Sequence, residues 1–132
     1  MVERSLPKVL YLEDDDISRE VVSRFLKDIC NVDTAADSSS AFDKIKIQKY
    51  DAILVDMNLG RGPSGLEFVK QLIESPQYHH EPLIAVTAYA MKEDEQEIRS
   101  AGCTHYISKP FDRSSLKRLV KSALDESHRN HN

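Results

Sequence analysis

The run Ala52-Ile53-Leu54-Val55-Asp56 is four apolar residues that end on a carboxylate. A short, continuously apolar run bounded by polar residues reads as a strand buried on both faces, and such strands belong to parallel sheets covered by helices. Outward from it the pattern recurs. Val9-Leu10-Tyr11-Leu12 lies between Pro7 and Glu13-Asp14-Asp15-Asp16, Leu83-Ile84-Ala85-Val86 follows Pro82, and a short strand from His105 to Ser108 is stopped by Pro110. Asn31 to Ala35 is a weaker strand. The intervening segments carry apolar residues at helical spacing. Residues 17–29 present Ile17, Val21, Val22, Phe25, Leu26 and Ile29; Ser38–Gln48 presents Ala41, Phe42 and Ile45, with Ser38–Ser40 offering N-caps; Leu66–Ser75 is a third helix. Met91–Ala101 is a polar helix closed by Gly102, and Asp112 caps a last helix with Leu116, Leu119, Val120 and Ala123 on its inner face. Five strands alternating with five helices make one α/β domain. It spans residues 1–132, with a core of about 7–125 and a polar tail, 126–132, expected to fray.

The 132 residues suffice for a single domain, and 40% hydrophobic with 30% charged residues is an ordinary soluble composition. A net charge of −4 disfavours a nucleic-acid binder, no apolar run is long enough for a membrane span, and Met1–Lys8 has no secretory h-region. Cys30 and Cys103 form neither a disulfide framework nor a metal spacing, which reads as two inert thiols in a reducing, cytoplasmic setting.

In an open parallel sheet, ligands bind at the carboxyl ends of the strands. Those ends carry Glu13-Asp14-Asp15-Asp16, Asp56, Thr87-Ala88 and Lys109-Pro110. Facing carboxylates need a counter-charge. With no Cys or His at these ends, a hard cation with oxygen ligands suits them, Mg²⁺ with Mn²⁺ as the alternative. A carboxylate can act as a nucleophile toward phosphorus, the metal neutralising the transferring group, Lys109 pairing with one phosphoryl oxygen and Thr87 bonding another. There is no GxxxxGK[ST] and no GxGxxG, so the phosphoryl group must come from another protein or a small donor.

Together these residues resemble a response-regulator receiver domain, of the CheY-like kind used in two-component phosphorelays. Leu12-Glu13-Asp14-Asp15 resembles the acidic pair after the first strand, Ile53-Leu54-Val55-Asp56-Met57 the phosphoacceptor strand, Val86-Thr87-Ala88 the switch hydroxyl, Tyr106 the switch aromatic and Lys109-Pro110-Phe111 the family's lysine and its cis proline. The resemblance covers about residues 7–125. It implies a flavodoxin-like (βα)5 fold with strand order 2-1-3-4-5. It implies that Asp56 accepts the phosphoryl group from a histidine kinase or histidine phosphotransfer protein. Asp14, Asp56 and the Asn58 backbone carbonyl would bind the metal, and Glu13 would help through water. Thr87, Ala88, Lys109 and Tyr106 would hold the phosphate and switch. Ile17, Val21, Tyr89 and Phe111 would offer a partner surface, and the face of the fourth helix, fifth strand and fifth helix would then recruit a downstream protein. Asn58 and Tyr89 would flank the hydrolytic water, with a bulky Tyr89 slowing autodephosphorylation. The family usually has a proline four residues after the phosphoacceptor and a glycine eight after; here Gly60 and Gly65 stand four and nine after, with Pro63 between, so that loop is about one residue longer.

The expectation is a signalling switch, not an enzyme with an external substrate, binding no nucleic acid and no membrane, as a monomer or weak dimer. Met1 and the polar tail favour a stand-alone regulator over a receiver cut from a hybrid histidine kinase or larger regulator. Two rivals come from other classes. Asp14-Asp15-Asp16-Ile17 also resembles the DxDx[TV] of haloacid-dehalogenase-type phosphatases, a reading that explains Asp56 and Lys109-Pro110 less well. A receiver-fold binding module that is never phosphorylated would not need Glu13, Asp14, Asp56, Thr87 and Lys109 together.

Overall fold

The computed structural model of the chain describes residues 5–60, 64–88 and 92–130, the last four by their helical backbone alone. Strands β1 (Lys8–Leu12), β2 (Asn31–Ala35), β3 (Ala52–Asp56), β4 (Leu83–Thr87) and β5 (His105–Ser108) form one parallel sheet of order β2-β1-β3-β4-β5. Helices α1 (Asp16–Leu26), α2 (Ser38–Ile47), α3 (Gly65–Ile73), α4 (Lys92–Ala101) and α5 (Arg113–Asn130) connect the strands and extend the chain beyond the last of them. This is the flavodoxin-like arrangement that the sequence leads one to expect.

Side chains alternate across each strand, which divides the apolar runs between two cores. Leu10, Leu12, Ile53, Val55, Leu83 and Ala85 meet Ala41, Phe68, Val69, Leu72 and Ile98 of α2, α3 and α4. Val9, Tyr11, Ala52, Leu54, Ile84 and Val86 meet Val22 and Leu26 of α1 and Leu116, Val120 and Ala123 of α5. Two-sided burial is why β1, β3 and β4 read as unbroken apolar runs and not as alternating ones. The edge strands β2 and β5 are only partly buried, which is why they read more weakly.

Register carries the functional consequence. Leu12 pairs with Val55, Asp56 with Val86, and Thr87 with Ser108. The residues after all four inner and neighbouring strand ends therefore converge at one edge of the sheet.

Three local readings are corrected. Helix α2 is capped not by Ser38–Ser40 but by Asp37, whose Oδ1 accepts the Ser40 N–H at 2.8 Å; Ser38 is itself buried as the first helical residue. Helix α1 ends at Leu26, three residues early, because the N–H groups of Ile29 and Cys30 both return to the Leu26 carbonyl and turn the chain into β2. Helix α5 continues to Asn130, where a fraying tail was expected after Glu126. No glycine or proline from 113 to 130 interrupts it. Gly102 closes α4 as expected. With φ +126 it lets the Cys103 and Gly102 N–H groups reach the Ile98 and Arg99 carbonyls, the paired bonds of a Schellman end.

Candidate functional site: an acidic cluster with one ammonium

Each member of the site is placed by a strand end. β1 ends in Glu13, whose carboxylate is buried (1% exposed), and Asp14, which faces solvent. β3 ends in Asp56, 2% exposed, and β4 in the buried Thr87. β5 delivers Lys109, whose N–H donates to the Thr87 carbonyl at 2.7 Å, and the Lys109–Pro110 peptide bond is cis. The Lys109 Nζ lies 3.2 Å from Glu13 Oε1 and 3.4 Å from Asp56 Oδ2. Burial pulls its ammonium down, but the Asp56 and Glu13 carboxylates outweigh that and raise it above the ordinary lysine value. It stays charged at any physiological pH.

Glu13, Asp14 and Asp56 each bring a carboxylate oxygen within 4.8 Å of the others. Three carboxylates against one ammonium leave negative charge in excess. An all-oxygen donor set of this kind fits a hard divalent cation, and nothing in it suits zinc or copper. The remaining oxygens are tied back. Asp14 Oδ2 accepts the Gly60 N–H at 2.8 Å and Asp56 Oδ1 accepts the Asn58 N–H at 3.0 Å. Those two bonds also seat the start of the β3–α3 loop over the cluster.

Several contributors escape a reading of the sequence. Tyr11 reads as one more apolar strand residue, yet its hydroxyl donates to Glu13 Oε1 at 2.9 Å. Burial, reinforced by the Glu13 charge, pushes that phenol far above its ordinary range, so it acts only as a donor. The signal was present: positions 11 and 13 share one face of a strand. Arg19, a turn into α1, donates from Nη1 to the Glu13 carbonyl at 2.8 Å and pairs through Nη2 with Asp16. Gly65 reads as a loop glycine. A Cβ there would lie 2.2 Å from the Asp56 carbonyl oxygen and 2.7 Å from Met57 Cα, so only glycine lets α3 start against the end of β3.

The other expected residues fall nearby. Ala88, with Ile17, Val21, Pro110 and Phe111, lines an apolar groove of about 500 Å³ between α1 and the β5–α5 connection, floored by Tyr11 and Lys109. Ile17 is 71% exposed on its rim. Tyr106, on β5, is half-buried against the α2–α4 core; burial and then Glu95 and Asp94 of α4 raise its phenol. Asn58 and Thr87 border a smaller cavity, about 210 Å³, between the β3–α3 loop and α4. Tyr89 lies outside the described residues.

Comparison with known proteins fits this geometry. Residues 9–121 match the model of the response regulator receiver domain. The chain belongs to that family. This receiver is 36% identical to the polar-differentiation response regulator DivK of Brucella anthropi, over 92% of this chain and all of that one. Among solved structures it is similar to the chemotaxis protein CheY4 of Vibrio cholerae, at 32% identity and a TM-score of 0.84, covering 90% of this chain and 99% of that one. It is also similar to the receiver domain of a sensor histidine kinase from Pseudomonas aeruginosa, at 28% identity and a TM-score of 0.82 over 92% of this chain and 99% of that one. That structure holds a magnesium ion coordinated in its active-site cleft. Among the described residues of this receiver, no helix is long and apolar enough to cross a membrane.

Proposed function

We propose that this receiver is a phosphorylation-controlled switch of a two-component or phosphorelay system, with Asp56 as phosphoacceptor. The observation that carries the reading is the single ammonium of Lys109 shared between the buried carboxylates of Glu13 and Asp56, with Asp14 beside them. Mg²⁺, held by Asp14, Asp56 and the Asn58 carbonyl with Glu13 acting through water, would neutralise charge on the transferring phosphoryl group.

The chain's own residues do the rest. Asp56 Oδ attacks the phosphorus of a phosphohistidine; the O–P bond forms as the P–N bond breaks, and the departing imidazole takes up a proton. Lys109 turns its ammonium to one phosphoryl oxygen, and the Thr87 hydroxyl donates to another. The shift of Thr87 is passed to Tyr106 across adjacent strands, and the α4–β5–α5 face changes the partner it accepts. The donor, a histidine kinase or histidine phosphotransfer protein, docks in the apolar groove at Ile17, Val21 and Phe111. The protein turns over no external substrate and works in the cytoplasm.

The test is intact-protein mass after incubation with acetyl phosphate and Mg²⁺. One added phosphoryl group is expected in the wild type, with none in Asp56→Asn and none when Mg²⁺ is chelated. Failure of the wild type to take up phosphate from both acetyl phosphate and a phosphohistidine protein would overturn the reading and leave a receiver-fold binding module.

A further inference from the structure

Tyr11 stands where the groove and the acidic site meet. It is the bulkiest of the fully buried side chains, and its ring packs in the α1–α5 core while also flooring the groove beside Lys109. Phenylalanine would fill the same space, so the hydroxyl is what needs an account. It donates to Glu13 Oε1 at 2.9 Å, and that same oxygen takes the Lys109 Nζ at 3.2 Å. The second Glu13 oxygen accepts a long bond from the Asp15 N–H, 3.3 Å. Glu13 therefore has a fixed neutral donor from the core and a cationic donor on a flexible stem.

The Lys109 distances to Glu13 and Asp56, 3.2 and 3.4 Å, are both longer than a tight charge-assisted bond. The ammonium is shared, and a phosphoryl group on Asp56 would draw it away from Glu13. A buried carboxylate stripped of its cation is costly unless another donor remains. We propose that Tyr11 is a positioning residue that keeps Glu13 held when Lys109 turns to the phosphoryl group, and so favours the phosphorylated state selectively. This rests on the phosphoacceptor reading given above. In the free protein Lys109 still donates to Glu13 Oε1 when the hydroxyl is lost; once Lys109 turns to the phosphoryl group, that oxygen keeps neither donor, and the long Asp15 bond to the other oxygen and the metal's water are poorer substitutes.

The experiment is the affinity for beryllofluoride, a stand-in for the phosphoryl group on a carboxylate, by calorimetry at saturating Mg²⁺. In Tyr11→Phe the Kd is expected to rise about tenfold, the scale of one hydrogen bond to a charged group. A hydroxyl that served only stability would weaken free and liganded forms alike and leave this affinity unmoved. In a Glu13→Gln background, where the charge to be held is gone, the same Tyr11→Phe change is expected to shift Kd by less than about twofold. An unchanged Kd in Tyr11→Phe, or an equal tenfold loss in the Glu13→Gln background, would overturn the inference while the phosphoacceptor reading stands. Absence of beryllofluoride binding to the wild type would overturn both.

Discussion

At the residue scale the site is a problem of charge and of space. Glu13 and Asp56 are buried carboxylates with one ammonium between them. Replacing it, as in Lys109→Met, removes a positive charge from beside the carboxylates. Mg²⁺ affinity is then expected to rise roughly tenfold by titration calorimetry, since the cation meets a more negative site. The phosphorylated state, deprived of the ammonium, should weaken in the same variant. Space is decided at Gly65. A Cβ 2.2 Å from the Asp56 carbonyl forces the helix start and the strand end apart. Gly65→Ala should cost about 1–3 kcal/mol in urea denaturation and misplace Asp56 as well. The two demands differ in how far the sequence shows them. Asp14, Asp56 and Lys109 stand out because charges are rare directly after apolar strands. Gly65 does not, because what makes it necessary is backbone from nine residues earlier.

At the element scale, the starts of α1, α2 and α5 are set by short carboxylate caps. The Ser18 hydroxyl and N–H hold the Asp15 carboxyl below the ordinary value of 3.8, and the Ser115 N–H does the same for Asp112 at the start of α5. Lys117 lowers Asp28, joining α5 to the end of α1. For all three the folded value lies below the unfolded one, so the unfolded chain binds protons more readily. Their stabilisation is complete above the unfolded value and is lost as pH falls below about 3.8 toward the lower folded values. Thermal melts should therefore show the midpoint falling between pH 5 and 3, and falling less steeply in Asp15→Asn, which caps without titrating. The end of α4 is set differently. At Gly102 the φ of +126 favours glycine, while the Ile73 Cδ1 that a Cβ would meet is the end of a flexible, partly exposed side chain. Gly102 was legible as a cap from the composition around it, whereas the true length of α5 was not, because a polar helix end and a polar tail have the same composition.

For the whole molecule, the groove separates two chemistries that the acidic site alone would merge. On the proposed reading, uptake from acetyl phosphate draws on the acidic site alone, with its Mg²⁺ and Thr87, whereas a protein donor would also have to dock. Ile17→Glu, at a position 71% exposed, should leave stability within about 0.5 kcal/mol and acetyl phosphate uptake unchanged. It should slow transfer from a phosphohistidine protein at least tenfold in a stopped-time transfer assay, by placing a charge on an apolar docking surface. The packed two-sided core makes a further prediction. Burial pushes the thiols up, Cys30 to about 11 and Cys103 to about 12, and both lie inside the helix layers. Neither should react with a thiol reagent at pH 8 until the protein unfolds.

The strands, their parallel pairing and the acids at their ends follow from local pattern: unbroken apolar runs cannot be one-sided, and a parallel sheet collects whatever follows each strand at a single edge. Those properties are short-range, so they survive in the order of residues alone. What required the folded chain was every contact between distant segments. The hydrogen bond from Gly60 to Asp14, the sharing of Lys109 between Glu13 and Asp56, the approach of Gly65 to the Asp56 carbonyl and the groove between α1 and Phe111 all join residues brought together by register and packing. The Tyr11–Glu13 bond lies between the two cases: strand periodicity puts the pair on one face, but only the closing of both helix layers removes water and leaves the phenol with a carboxylate as its partner.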